Sequence, residues 1–260
     1  MSWRLGVVGS PIVHSRSPQL HEIGLACAGL EGTSTRVELA LADATQLRDI
    51  LLTRFDALSV TSPLKFAAFE LCDVRSEVAE RTGSVNTLKV VDGRIWGEST
   101  DGAGFVDSLG AGFTTVVDGT YAVVLGAGGA ATAIVDALVE GGATSVVVLG
   151  SDPSRVERLV GRYQNVVGSA LVYRPVDLIV NTVPTAVRRN DTAVLQGVHR
   201  GTVAVDVTYD PPESAWRSLY ETAGCRTTNG LAMLAHQAAL QMNWWWGTSL
   251  RGDVLLETLR

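Results

Sequence analysis

One lysine of the sequence stands where its positive charge is electrostatically unfavourable. Residues 61–65 read TSPLK, and Pro63 is predicted to be the first residue of a helix, which puts Lys65 in its first turn. A cation there opposes the helix dipole at a cost of about 0.3–1 kcal/mol. Only two of the 21 basic residues are lysines. We therefore expect Lys65 to take part in acid–base chemistry, with an ordinary solvated lysine as the alternative.

A carboxylate that could pair with this lysine follows a predicted hairpin. Residues 86–98 alternate in hydrophobicity around a central Asp-Gly pair, which is typical of two strands joined by a tight turn. Residues 99–105 then read STDGAGF and lead into a helix. We expect Asp101 to pair with Lys65, and the alternative is a simple helix cap.

Two serines near the N-terminus could bind a small anion. Residues 14–18 read HSRSP, so Ser17 is predicted to cap a helix that Pro18 begins. The hydroxyls of Ser15 and Ser17 lie two positions apart on the approach to that helix, where they could hold a carboxylate. The alternative is a plain N-cap.

A glycine-rich turn between a strand and a helix predicts a dinucleotide site. Residues 124–131 read VLGAGGAA, in which the first glycine makes the turn, the next lets the backbone approach a pyrophosphate and Ala131 replaces the third glycine. The free amides and partial positive charge of the helix N-terminus favour phosphate. The predicted loop comprises Gly126, Ala127, Gly128, Gly129 and Ala130. The alternative is an ordinary glycine-rich strand–helix turn.

The end of the next strand bears on the choice between NAD and NADP. An acid there binds the ribose 2′-hydroxyl of NAD, whereas an arginine binds the 2′-phosphate of NADP. This stretch contains both Asp152 and Arg155. From the residues alone the preference stays open, and either side chain could equally be a helix-terminal charge.

The elements that carry these motifs alternate between strand and helix. Continuous apolar strands separated by helices predict a parallel sheet covered on both faces, and two α/β units are expected to join near residues 102–104. The predicted strands are 5–9, 35–39, 57–60, 121–125, 145–149, 178–181, 203–207 and 226–228. The predicted helices are 18–29, 65–71, 130–139 and 154–163. A further helix is expected from residue 229 into the tryptophans at 244–246, which cannot all face one core.

Composition excludes several classes of protein. The 260 residues are 46% hydrophobic and 18% charged with a net charge of −6, which excludes disorder and disfavours nucleic-acid binding. No apolar run is long enough for a membrane helix, and no signal-peptide pattern begins the chain. The three cysteines fit neither a disulfide framework nor a metal site. We expect all three to be buried thiols in a reducing compartment.

Seven stretches in order resemble the shikimate dehydrogenase family and together cover nearly the whole chain. They read HSRSP, SVTSPLK, GSVNT, STDGAGF, VLGAGGAA, VNTVP and NGLAMLAHQ. The resemblance implies an α/β protein of two domains facing each other across a cleft. These are an N-terminal substrate domain, residues 1–102 completed by C-terminal helices at 231–260, and a Rossmann dinucleotide-binding domain at 103–230. It also implies a cytoplasmic biosynthetic enzyme that reversibly reduces 3-dehydroshikimate to shikimate with NADPH. A homodimer is compatible with the resemblance.

The same resemblance implies roles for individual residues. Lys65 and Asp101 match the catalytic pair, and Ser15 and Ser17 match the serines that bind the substrate carboxylate. The remaining substrate-binding matches are Thr61, Asn86, Gln237 and, less closely, Tyr209. Ser59 and Ser99 stand where the family usually has asparagine, so altered hydrogen bonds are expected there.

The cofactor loop departs from the family pattern. NADP-using members carry Asn-Arg-Thr where this chain has Gly-Ser-Asp at 150–152, and Arg155 matches only the second phosphate-binding arginine. Acids in this loop are typical of the related NAD-dependent quinate/shikimate dehydrogenases. We therefore expect NADP, with NAD and that branch as the alternative. A non-catalytic dinucleotide sensor is a second alternative, which Lys65 and Asp101 disfavour.

Overall fold

The computed structural model describes residues 2–113, 117–168, 175–183 and 194–259. The chain divides into two compact units. The first comprises Met1–Ser108 with Leu234–Arg260, and the second comprises Leu109–Met233. The domain borders at residues 102 and 231 that the sequence suggests stay a prediction.

The first unit holds a mixed sheet with strand order β2-β1-β3-β5-β6-β4. Its first three strands are parallel, whereas β5 is antiparallel to both β3 and β6. Its strands are β1 (Ser2–Gly9), β2 (Glu31–Glu38), β3 (Ala57–Val60), β4 (Val74–Arg75), β5 (Thr87–Val91) and β6 (Arg94–Glu98). Its helices are α1 (Ser17–Ala28), α2 (Leu47–Arg54), α3 (Lys65–Leu71), α4 (Glu77–Thr82) and α10 (Gly252–Leu259), with a 3₁₀ turn at Leu41–Gln46. Two helices have residues in both units: α5 (Asp101–Phe113) and α9 (Leu231–Trp246).

The second unit holds a six-stranded sheet that is parallel throughout, in the order β12-β11-β10-β7-β8-β9. This is the doubly wound arrangement, with its switch point between β7 and β10. Its strands are β7 (Tyr121–Leu125), β8 (Ser145–Leu149), β9 (Val166–Gly168), β10 (Leu178–Asn181), β11 (Val203–Asp206) and β12 (Arg226–Asn229). Its helices are α6 (Gly129–Glu140), α7 (Pro153–Val160) and α8 (Ala215–Thr222), with a 3₁₀ turn at Leu195–Gly197.

Each unit has its own hydrophobic core. In the first, aliphatic side chains from β1, β3 and β5 pack with Leu47 and Leu51 of α2. In the second, Val123 and Ile179 of the central strands pack with Trp216 and Tyr220 of α8. Complete burial of one such aliphatic side chain stabilises a fold by about 1.5–3 kcal/mol. These cores hold the strands of each unit in place.

The cysteine prediction is wrong at one position. Cys72 and Cys225 are buried, but Cys27 is exposed on α1, and all three thiols are free. Cys27 follows the apolar run of α1 in sequence, yet it lies on the side of the helix that faces solvent. The tryptophan prediction is confirmed, since Trp245 is buried while its two neighbours are only partly buried.

None of the helices in the described ranges has the length and apolar character that crossing a bilayer requires.

Candidate functional site

The two charged side chains that were predicted to pair are in direct contact. Lys65 is the first residue of α3 and Asp101 is the first residue of α5. The Lys65 Nζ donates a hydrogen bond to Asp101 Oδ2 at 2.5 Å, and the side chains are 12% and 7% exposed. A charge-assisted bond of this kind fixes the amine while leaving its other protons available. The pair can therefore orient a proton donor.

The helix that carries the lysine spans residues 65–71 as predicted, but Pro63 does not begin it. Leu64 is its N-cap, and the Leu64 amide donates to the Thr61 carbonyl at 3.0 Å, which closes a turn ahead of the helix. Pro63 lies inside that turn, so its placement as the first helical residue is wrong. The first-turn position of Lys65 is confirmed. The Lys65 carbonyl accepts from the amide of Val85 at 3.0 Å, which ties the start of α3 to the segment before β5.

Asn86 connects the carboxylate to its surroundings. Its Nδ2 lies 2.9 Å from Asp101 Oδ1, 3.0 Å from Thr100 Oγ1 and 3.2 Å from Gln237 Oε1. Its Oδ1 accepts from the Thr100 amide at 2.9 Å. Because that oxygen must face a backbone N–H, the amino group of the same amide must face Asp101. Asn86 and Lys65 thus hold the two oxygens of one carboxylate.

Gln237 reaches this cluster from the far end of the chain. Its Nε2 donates to the Leu234 carbonyl at 2.9 Å, which leaves Oε1 directed to Asn86. Gly104 permits the approach, because a Cβ on this residue would lie 2.5 Å from the Gln237 backbone nitrogen. Helices α5 and α9 are therefore in backbone contact one turn after Asp101. Any larger residue at position 104 would push Asp101 and Gln237 apart.

The two N-terminal serines are adjacent, but the predicted cap is wrong. Helix α1 begins at Ser17, its N-cap is Arg16, and that cap makes no side-chain hydrogen bond to the helix. The hydroxyls of Ser15 and Ser17 are 3.3 Å apart, and the Arg36 guanidinium fixes the Ser15 carbonyl with bonds of 2.9 and 2.5 Å. Since Ser17 is inside the first turn, its hydroxyl is not committed to capping. One small carboxylate can reach both hydroxyls.

A histidine of α1 is fully buried and lies between two serines. His21 Nδ1 is 2.7 Å from Ser34 Oγ, and its Nε2 is 3.0 Å from Ser59 Oγ. Complete burial lowers the pKa of His21 to about 3. The ring is therefore neutral in the folded protein at any pH above that value.

Because of His21, we expect the protein to lose stability in mild acid. The pKa of His21 is lower in the folded state than in the unfolded chain. Below pH 6.5 the unfolded chain therefore binds a proton that the buried ring does not bind, and stability falls as the pH decreases from 6.5 to about 3. Between pH 6.5 and 5 we expect the free energy of unfolding to drop by about 2 kcal/mol through His21. Urea unfolding at several pH values should show a smaller drop for His21→Gln. His14→Gln, at an exposed position, is the matched control. Identical pH slopes for wild type and His21→Gln would contradict the assignment.

In the second unit, the glycine-rich turn has the form that a pyrophosphate needs. Gly126 has a φ of 115°, and an added Cβ would overlap Thr182 Oγ1, so a side chain is excluded there. At Gly128 an added Cβ would meet nothing within 4 Å. Gly128 is also the N-cap of α6 and has no side chain to occupy the first-turn amides. The residues present therefore fit the phosphates of a dinucleotide.

Asp152 caps the helix that follows β8. Its Oδ1 accepts from the Ser154 hydroxyl at 2.7 Å and from the amides of Ser154 and Arg155 at 3.0 and 3.2 Å. Its Oδ2 pairs with Arg155 Nε at 3.2 Å. The Ser154 hydroxyl and the Arg155 amide are the main bonds that lower the pKa of Asp152. The carboxylate is thus engaged in capping α7 and in orienting Arg155.

Two further site residues were identified from the sequence, one in each unit. Thr61 is half-buried in the turn before α3, and Tyr209 is half-buried after β11 in the second unit. Four contributors were not identified from the sequence: Thr100, His21, Ser34 and Gln241. In the described part of the chain, no group of three or more histidine, cysteine, aspartate or glutamate side chains could hold a metal ion.

The chain is similar to proteins of one enzyme family. A family model described as the shikimate dehydrogenase substrate binding domain matches residues 7–88. The shikimate dehydrogenase (NADP(+)) of Roseobacter denitrificans is 35% identical over 254 residues, covering 93% of this chain and 91% of the relative. The enzyme of the same name from Methanopyrus kandleri is 31% identical and covers 98% and 94%.

A solved structure shows the same similarity over the full fold. The crystal structure of shikimate 5-dehydrogenase from Thermus thermophilus, in complex with NADP(H) and shikimate, superposes with a TM-score of 0.85. It is 31% identical and covers 99% of this chain and 98% of its own.

Proposed function

This chain belongs to the shikimate dehydrogenase family, and we propose that Lys65 and Asp101 are the catalytic pair with which it interconverts 3-dehydroshikimate and shikimate. It is an oxidoreductase of the shikimate pathway, and its cofactor is NADP. The observation that carries the catalytic assignment is the contact between Lys65 Nζ and Asp101 Oδ2 at 2.5 Å. The NAD-dependent quinate alternative is not favoured, because the relatives are NADP enzymes.

The polar side chains of the first unit suit a ring that carries a carboxylate and hydroxyls. Ser15 and Ser17 bind the carboxylate, since their hydroxyls are adjacent and bonded mainly to each other. Thr61, Asn86, Asp101 and Gln237 hold the ring hydroxyls. This arrangement is supported by the hydrogen bonds that already join Asn86 to Asp101 and Gln237. Tyr209 of the second unit is assigned to the substrate only by its match to the family motif.

The chemical roles of the pair follow from where charge develops. Bound NADPH supplies the hydride for the substrate carbonyl carbon. Negative charge then builds on the carbonyl oxygen, where the Lys65 ammonium stabilises it and donates a proton to form the hydroxyl. Asp101 holds the amine in line throughout, and the neutral amine regains its proton from solvent on its exposed fraction. The proton and hydride together complete a two-electron reduction.

The second unit supplies the cofactor contacts. The backbone of Gly126, Ala127, Gly128, Gly129 and Ala130 binds the pyrophosphate. Arg155 binds the 2′-phosphate, and Asp152 contributes by capping α7 and orienting the Arg155 guanidinium rather than by binding the ribose. Support comes from the bonds that already occupy both carboxylate oxygens of Asp152.

Replacement of Arg155 should weaken the binding of NADPH but not that of NADH. Arg155→Gln is expected to raise the KM for NADPH by about 10-fold to 100-fold, because a charge-assisted phosphate contact contributes about 1.5–3 kcal/mol. The KM for NADH should change little, since NADH lacks the 2′-phosphate. Initial rates with both cofactors measure this. Arg158→Gln, on the same helix and also exposed, is the control. Equal effects on both cofactors would remove Arg155 from the phosphate site.

Initial rates of shikimate oxidation test the function as a whole. Purified protein is assayed with NADP and NAD in parallel, and again with quinate in place of shikimate. We expect turnover with shikimate and NADP, at a higher kcat/KM than any other pair. Turnover with quinate and NAD alone would assign the chain to the other branch. No turnover with any pair would refute the catalytic assignment.

A cytoplasmic location and a homodimer are further parts of this proposal. The location is supported by three free thiols, which fit a reducing compartment. The dimer is supported by Trp244 and Trp246, which remain partly exposed at the end of α9. Sedimentation equilibrium of the purified protein measures the oligomeric state directly, and a monomer at micromolar concentration would contradict the dimer.

A further inference from the structure

Two glutamines one helical turn apart on α9 contact the same asparagine. Gln237 Oε1 accepts from the Asn86 side chain at 3.2 Å, whereas Gln241 Nε2 donates to the Asn86 backbone carbonyl at 3.0 Å. Residues four apart lie on one face of a helix. Gln241 is 1% exposed, so it has no surface with which to touch a substrate. Its contact with the site is therefore made through Asn86.

The hydrogen bonds behind Gln241 allow only one orientation of its side chain. The Asn86 carbonyl must accept, so the nitrogen of the Gln241 amide faces it and Oε1 faces Ser59. The Ser59 hydroxyl donates its one proton to Gln241 Oε1 at 2.7 Å. It must then accept from His21 Nε2 at 3.0 Å, so His21 carries its proton on that nitrogen. The other ring nitrogen accepts from Ser34.

The carbonyl that receives Gln241 is fixed from a second side. The amide of Val60, the last residue of β3, donates to the Asn86 carbonyl at 2.7 Å. Two donors thus occupy both lone pairs of this oxygen, one from the strand and one from the helix. The peptide plane after Asn86 is held between them, and this plane sets the backbone position from which the Asn86 side chain reaches Asp101.

We propose that Gln241 is a positioning residue for the Lys65–Asp101 pair, acting through Asn86, with Ser59 and His21 fixing its amide. The inference rests on the proposed function of that pair. Loss of the Gln241 amide leaves the Asn86 carbonyl with Val60 as its one donor, so this peptide can tilt and shift the donor to Asp101 Oδ1. The carboxylate then loses one of its two anchors, and the Lys65 amine loses its fixed direction.

The variant Gln241→Met tests this by keeping the volume and removing the donor. We expect kcat for shikimate oxidation to fall by about tenfold or more, as small displacements of catalytic groups do. The KM for NADP should stay within about twofold, since the cofactor loop is in the other unit. The control is Asn243→Ala on the same helix. This variant loses the bonds of Asn243 to Leu250 and Thr248 but none to Asn86, so its melting temperature should fall while its kcat is unchanged.

A double-mutant cycle separates positioning from general destabilisation. Added to Asn86→Ala, the change Gln241→Met should cost no further kcat, because the side chain through which it acts is absent. Ser59→Ala frees the Gln241 amide without altering Asn86, and it should lower kcat in the same direction if Gln241→Met does not fold. A wild-type kcat in Gln241→Met, or full additivity in the cycle, would overturn the inference alone. Absence of turnover in the wild-type protein would overturn the proposed function and this inference with it.

Discussion

Replacement of Lys65 by alanine is expected to lower kcat for shikimate oxidation by about 10³-fold, the range of a positioned general acid or base. The KM for shikimate should change little, because the charge that Lys65 stabilises on the substrate oxygen exists mainly in the transition state. The Asp101 carboxylate keeps its bond from Asn86 in this variant. Steady-state kinetics with saturating NADP measures both constants.

The chain offers a matched control in its other lysine. Lys89 Nζ donates to the Trp244 carbonyl at 2.8 Å and lies 3.9 Å from the centre of the Trp244 ring. Lys89→Ala removes the same kind of side chain from a contact that anchors the end of α9. It should lower the melting temperature and leave kcat near wild type. Comparable losses of kcat in both variants, or near-normal turnover in Lys65→Ala, would exclude Lys65 from the mechanism.

Replacement of Asp101 by asparagine is expected to affect both rate and stability. The amide keeps the shape of the carboxylate but removes the charge that orients the Lys65 ammonium, so kcat should fall by about 10²-fold to 10³-fold. The ammonium is left largely buried without its partner, which should lower the free energy of unfolding by about 3 kcal/mol. Kinetics and urea unfolding at pH 7 measure the two effects separately.

The double variant Lys65→Ala, Asp101→Asn shows whether the residues act as one unit. Its kcat should be no lower than that of the worse single variant, because groups that work together are not additive. Its stability should recover relative to Asp101→Asn, since no unpaired charge remains. Two independent, multiplying losses of kcat would contradict a catalytic pair.

Much of the fold follows from local sequence signals. The central strands of the second unit are short, mostly aliphatic runs, and the strands at 121–125, 145–149 and 178–181 are confirmed to the residue. The hairpin is confirmed as well, because Asp92 and Gly93 adopt positive φ values of 50° and 74°. Asparagine, aspartate and glycine tolerate this conformation, so the turn can be predicted from sequence alone.

Strand β2 shows why other elements could not be predicted. It runs from Glu31 to Glu38, yet the sequence predicts only residues 35–39, because residues 31–34 read EGTS without a strand pattern and most side chains of the strand are exposed. Its first half is a strand through pairing with β1 over eight consecutive residues. Such pairing depends on distant sequence and leaves no local pattern. Helix α2 was not predicted either, although Leu47 and Leu51 are spaced for one buried face.

The residues of the candidate site also differ in how well they can be predicted from the sequence. Lys65, Asp101 and the glycine-rich turn are recognisable because each stands out in type or in local position. Gln241 carries a weaker signal, since it lies four residues after Gln237 and would share its face of a helix. Ser59 stands out only as a departure from the family pattern, and His21 carries no signal, because a buried histidine looks like any other polar residue of a helix. Their roles depend on contacts between segments far apart in sequence.

The discontinuity of the first unit has a consequence for the order of events during synthesis. Asn86 and Gln237 are 151 residues apart, and the whole of the second unit is translated between Ser108 and Leu234. At about 5–20 residues per second, that interval lasts about 6–25 s. Until α9 is synthesised, Gly104 lacks its close backbone contact with Gln237, and the Asn86 carbonyl lacks its hydrogen bond from Gln241. A nascent chain therefore makes every strand of its second sheet before Asn86 receives its contacts from Gln237 and Gln241.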